Sequence, residues 1–127
     1  MANKEPIQTS DAPAAIGPYS QAIKSGPFVF LSGQIPLDPE FMELVGPGIE
    51  EQTQQVFKNL SAVANAAGGS LNDIVKLTIY LTDLGLFATV NSIMAEYFAE
   101  PYPARATLEV SALPKGAIVE IEAVMSV

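Results

Sequence analysis

A chain of 127 residues with 49% hydrophobic content is long enough for one domain with a real core. Fourteen acids against six bases give a formal charge of −8, which disfavours a polyanionic partner, because nucleic-acid affinity comes largely from cations that displace counterions from phosphates. With no cysteine and no histidine, disulfides, thiolate chemistry, Cys-ligated metals, Ser-His-Asp and Cys-His devices and His-containing zinc sites are all excluded.

Residues 1–12 are polar and proline-bearing and are expected to be flexible, the start of a single domain spanning 1–127. They carry no apolar signal-peptide core. No apolar stretch approaches the roughly 18 residues of a membrane helix, so a cytoplasmic protein is expected. Gly17-Pro18 turns the chain into an extended segment near residues 19–24. After the Gly26-Pro27 turn, Phe28 to Gln34 form a short run rich in β-formers, a strand in hairpin relation to the segment before it. Pro36, Pro39 and Gly46-Pro47-Gly48 make residues 35–48 a long loop.

Glu50 to Ala67 reads as a helix, with Val56, Leu60, Val63 and Ala67 on one stripe, acids at its positive end and Gly68-Gly69 as the stop. Ile74 to Leu81 reads as a strand in which Val75, Leu77, Ile79 and Leu81 alternate with Lys76, Thr78, Tyr80 and Thr82. Asp83 caps a second helix over about 84–99, with Phe87, Val90, Met94 and Phe98 on its apolar stripe. Pro101 and Pro103 end it.

Two alternating runs close the chain, Arg105 to Ser111 and Ile118 to Met125, joined by Ala112-Leu113-Pro114-Lys115-Gly116. They read as a β-hairpin. If Leu108 and Val110 share the apolar side with Val119, Ile121 and Met125, then Arg105 and Thr107 lie across from or diagonal to Glu120 and Glu122. Arg105 is the only arginine; a guanidinium and a carboxylate would then share one surface with room for a small molecule. Side chains found on opposite sides of the sheet would defeat that pairing. The plainer reading is a cross-strand ion pair between Arg105 and either glutamate, and periodicity alone does not separate Glu120 from Glu122.

The predicted order is β-β-loop-α-β-α-β-β, an α+β fold whose mostly antiparallel or mixed sheet of five or six strands carries both helices on one face. The open face is expected to hold Arg105, Thr107, Glu120, Tyr80 and Ser32 among aromatic surface, a candidate interface for a homo-oligomer.

Four blocks resemble the RidA/YjgF reactive-intermediate deaminases: Pro13 to Ala22, Ser32 to Pro36, Pro103-Ala104-Arg105, and Leu113 to Ala117 with Val119 to Glu122. The resemblance runs from about residue 8 to 127 with the blocks in family order. It implies a chorismate-mutase-like homotrimer with clefts between neighbouring subunits. It also implies cofactor-free hydrolysis of 2-imino acids and their enamines, released by pyridoxal-phosphate enzymes, to 2-keto acids and ammonia.

Carried over by position, Arg105 binds the substrate carboxylate and Glu120 holds the attacking water. Tyr19 and Ser32 line the cleft, Gly33 offers backbone contacts, and Asn91 is a nearby polar group. Where the family often has Ser-Cys after the arginine, this chain has Ala106-Thr107, which puts Thr107 in the pocket and bears on side-chain preference. Plainer roles stand beside these: a packed turn ring for Tyr19, local backbone bonding for Ser32 and solvent bonding for Asn91. Two other functions stand beside deamination. One is a non-catalytic trimeric binder of small carboxylates; the other, ribonuclease or translation inhibition, is disfavoured by the charge and the missing histidine.

Overall fold

The last strand decides the architecture. Val119, Ile121, Ala123 and Met125 are all buried, alternating with Glu120, Glu122, Val124 and Ser126 on the other face. So complete an apolar face belongs in the middle of a sheet. The computed structural model describes residues 3–127; Met1 and Ala2, the first two residues of the tail expected to be flexible, lie outside the described residues. The elements are β1 (Glu5–Ile7), β2 (Ala22–Ser25), β3 (Phe28–Gln34), α1 (Ile49–Ala66), β4 (Ile74–Leu81), α2 (Phe87–Tyr97), β5 (Ala104–Glu109) and β6 (Val119–Ser126). They form one six-stranded sheet in the order β1-β2-β3-β6-β4-β5. Every neighbouring pair is antiparallel except β4 and β5, so the sheet is mixed.

Both helices and the two-layer α+β class agree with the sequence reading. Val56, Phe57, Leu60 and Val63 of α1 and Val90, Ile93 and Met94 of α2 pack with Leu77, Ile79, Leu81, Ile121 and Met125 in one core. The second helix begins later than expected: Asp83 accepts a hydrogen bond from Gly85 N at 2.8 Å and caps a 3-10 turn over Leu84–Leu86, which leads into α2. In β4 a register irregularity between Ile74 and Lys76 turns Ile74 inward and leaves Val75 exposed, so Val75 does not belong to the core set. Within the tail, Glu5–Ile7 pair with Ala22–Lys24 as a strand the sequence pattern does not signal. The buried Gln21 side chain ties down the rest of the tail, donating to the Thr9 and Pro13 carbonyls and accepting from Thr9 N.

The closing hairpin is not formed. β5 pairs in parallel with β4, and β6 lies between β3 and β4. Parallel pairing needs a crossover, and α2 supplies it between β4 and β5. The segment 110–118 then carries the chain past β4 to the centre of the sheet. Arg105, Thr107 and Glu109 stand opposite Leu77, Ile79 and Leu81, on the helix side. A polar set of that kind fits an edge strand better than a central one.

Candidate active site

Residues that pair directly across a ladder share a face of the sheet. Arg105 is opposite Leu77, which is opposite Ala123, and both of those are buried beneath the helices. Glu120 is opposite Tyr80, which is opposite Leu108, and that row looks to the open side. Arg105 and Glu120 therefore lie on opposite faces of one chain. The shared surface expected from the sequence does not exist within a single molecule, and neither does the cross-strand ion pair. Thr107 moves with Arg105 to the helix side; Tyr80, Ser32 and Glu120 remain on the open side.

The chemistry instead divides between two hollows. The first, about 470 Å³, lies where α2 meets the β5 edge and is lined by Asn91, Met94, Ala95, Tyr102, Pro103 and Arg105. Phe87, Asn91 and Met94 recur at helical spacing and turn one side of α2 toward the arginine. The Arg105 guanidinium sits 4.9 Å from the Phe87 ring centroid; its Nη1 donates to Asn91 Oδ1 at 2.6 Å and lies 3.6 Å from Met94 Sδ. Asn91 thus orients the guanidinium rather than merely bonding solvent. Both polar contacts use Nη1, which leaves a fork edge for a planar carboxylate. Thr107 lies one pleat further along the same strand face and does not line this hollow.

The second hollow, about 570 Å³, opens on the other face and gathers Tyr19, Ser32, Gly33 and Glu120 with apolar Ile35 and Leu37. Gly33 lies in the irregular stretch where β3 and β6 fall out of register, between Leu31 opposite Ala123 and Gln34 opposite Ile121. A Cβ on Gly33 would overlap the Glu120 carboxylate, so glycine is what lets that side chain lie against the backbone of β3. Ser32 donates its hydroxyl to the Ser20 carbonyl at 2.6 Å, the plainer backbone role expected for it, and also lines the hollow. Tyr19 is half-exposed at the rim.

Burial first, and the negative charge of Glu122 second, push the Glu120 carboxyl above its ordinary pKa. Tyr80 donates its hydroxyl to Glu122 Oε1 at 3.0 Å. Burial and that bond to Glu122 raise the phenol in turn.

Some contributors had no signal in the strand and helix periods. Asn59 sits among apolar residues of α1, fully buried, and donates to the Leu37 carbonyl at 3.0 Å and the Ile35 carbonyl at 3.3 Å, holding the loop that walls the second hollow. Gln52, also buried, donates to the Gly46 carbonyl and accepts from Ile118 N. A polar residue on an apolar helix stripe is the signal that would have found both. Lys115 lines the same hollow with φ of 58°, a left-handed conformation not legible in its side chain.

The two-layer fold thus carries a lone guanidinium beside one hollow and a half-buried carboxylate beside another, with no histidine or cysteine at either. A family model described as Endoribonuclease L-PSP matches residues 9–127. The chain belongs to that family, the RidA/YjgF proteins. A RutC family protein of Pyrococcus horikoshii is 54% identical over 121 residues, which cover 95% of this chain and 96% of that one. A mouse protein named 2-iminobutanoate/2-iminopropanoate deaminase is 48% identical over 118 residues, covering 93% of this chain and 87% of its own length. The crystal structure of RidA from an Antarctic Psychrobacter superposes with a TM-score of 0.94 at 53% identity, covering 97% of this chain and 99% of that one.

Proposed function

We propose that this chain hydrolyses 2-imino acids to 2-keto acids and ammonia in a cleft completed by two copies, most simply within a homotrimer. One copy supplies Arg105, held by Asn91, with Thr107 beside it; its neighbour supplies Glu120, Gly33, Ser32 and Tyr19. The observation that carries this reading is the separation of Arg105 and Glu120 onto opposite faces, each beside its own hollow. One small molecule can meet both only if the second residue comes from another molecule. The open face favours such a contact, since Phe28, Phe30 and Leu108 on it are 44%, 50% and 48% exposed.

The chemistry then rests on the side chains. Arg105 grips the substrate carboxylate through two parallel hydrogen bonds and fixes the imine carbon. Water bonds to the carbon of the protonated imine as Glu120 takes one of its protons, and the C=N pair moves to nitrogen. Glu120 returns that proton to nitrogen, then takes the hydroxyl proton as C=O forms and the C–N bond breaks. The departing ammonia carries the proton away as ammonium and resets the carboxylate. A carboxyl group with a raised proton affinity suits both directions of transfer. None of these steps draws on a metal or organic cofactor.

A direct assay generates 2-iminopropanoate and 2-iminobutanoate in situ and follows semicarbazone formation or ammonia with and without the protein. Faster loss of imine with matching keto acid is expected. An unchanged decay rate would leave a binder of small carboxylates. The acidic charge and the missing histidine weigh against RNA cleavage.

A further inference from the structure

We propose that Glu122, tethered by Tyr80, is a positioning residue that acts on the reaction through Glu120 by holding a fixed negative charge beside it. The inference rests on the deaminase reading and adds a residue to it. Glu120 and Glu122 are two apart on β6 and share its open face, which sets their Cα atoms about 7 Å apart. Glu122 does not line the hollow, and its side chain is exposed. It therefore touches no substrate in the scheme above.

Its carboxylate is nevertheless not left to wander. Tyr80 stands directly opposite Glu120 in the β4–β6 ladder and reaches diagonally to Glu122, donating to Oε1 at 3.0 Å. The groups around Glu120 make that charge count. On β6 there is Glu122 and on β4 the neutral Tyr80 phenol. The β3 side offers only uncharged Ser32, Gly33 and Gln34, while Tyr19 and the Lys115 ammonium stand at the cavity wall. In the shared cleft the neighbour's Arg105 adds a cation.

A second carboxylate on the same face disfavours ionisation of the first and keeps it avid for protons. For a residue that must take a proton from water, greater avidity means a stronger base. The tyrosine bond fixes the position of the Glu122 carboxylate.

The test compares pH–rate profiles of the parent with Glu122→Gln, Glu122→Asp and Tyr80→Phe, using 2-iminobutanoate made in situ. Glutamine keeps an acceptor for Tyr80 and removes only the charge. Because Glu120 works as a base, activity rises with pH through its titration. Glu122→Gln should move that acidic limb to lower pH and lower the plateau kcat, with KM unchanged. Glu122→Asp, which keeps the charge, should leave the limb near the parent's. Tyr80→Phe, which frees that charge to move, should shift the limb in the same direction as Glu122→Gln but by less, with a correspondingly smaller loss of kcat.

In parallel, 13C NMR of glutamate-labelled protein, with Glu120 assigned by its absence in Glu120→Gln, follows the carboxyl without turnover. Its titration should fall in Glu122→Gln. A Glu120 titration and a limb that stay put in Glu122→Gln would overturn the proposal. A titration that falls in a protein unable to hydrolyse imines would reject the deaminase reading and leave the coupling of the two glutamates standing.

Discussion

Arg105 and Glu120 are set by different physics. The arginine sits on an exposed edge, steadied by an amide and an aromatic face, and in the proposed cleft it serves grip rather than stability. Arg105→Ala is expected to lower kcat/KM by about a hundredfold or more while size-exclusion chromatography shows an unchanged oligomer. Arg105→Lys should recover little, because an ammonium cannot hold a carboxylate in the plane of a fork. Glu120 is the reverse case, a carboxylate kept partly out of water. Its folded-state pKa is raised, so the folded chain binds the proton more tightly than the unfolded one. That contribution is fully present below the ordinary carboxylate range and is lost as pH rises through the raised value. Glu120→Gln should therefore match its parent in melting temperature in acid and exceed it near neutrality while losing activity. The comparison is best made in the Arg105→Ala background, where no neighbouring guanidinium offsets the charge. Equal melting temperatures at both ends of the pH range would contradict the burial argument.

At the scale of elements, the second hollow depends on a break in the β3–β6 register and on a buried amide. Gly33→Ala places a methyl against the end of a flexible glutamate side chain, so stability should change little in urea titration while kcat falls with the displacement of Glu120. Asn59→Ala strands the Ile35 and Leu37 carbonyls and should cost about 1–3 kcal/mol in the same titration. The strands and helices themselves are legible because α1, β4 and β6 each bury one face, and periods of 3.6 and 2 report burial directly. Strand partners are not. The loop 110–118 is short enough for a hairpin, and nothing local distinguishes a return to β5 from a passage to the centre of the sheet. The alternation in β5 is real but its sides are exchanged: Leu108, core by its pattern, looks outward, and Arg105 looks toward α2. The parity rule holds only once the partner strand is known.

For the whole molecule, that inversion has a reason in the proposed assembly. An apolar stripe signals burial without saying by what, and Leu108 on the open face is a residue that a second copy would cover. The same arrangement separates the cation from the carboxylate in each chain, and the proposed assembly would return them to one another between chains. Subunit mixing tests this most directly. Arg105→Ala and Glu120→Gln proteins, each inactive alone, are unfolded together in equal amounts and refolded, and imine hydrolysis is measured. In a closed ring each cleft draws its arginine from one copy and its glutamate from the next, so about a quarter of the clefts regain both and about a quarter of parental activity should return. Activity that stays at the level of the separate variants, in a mixture shown to contain hybrid oligomers, would contradict a cleft shared between copies.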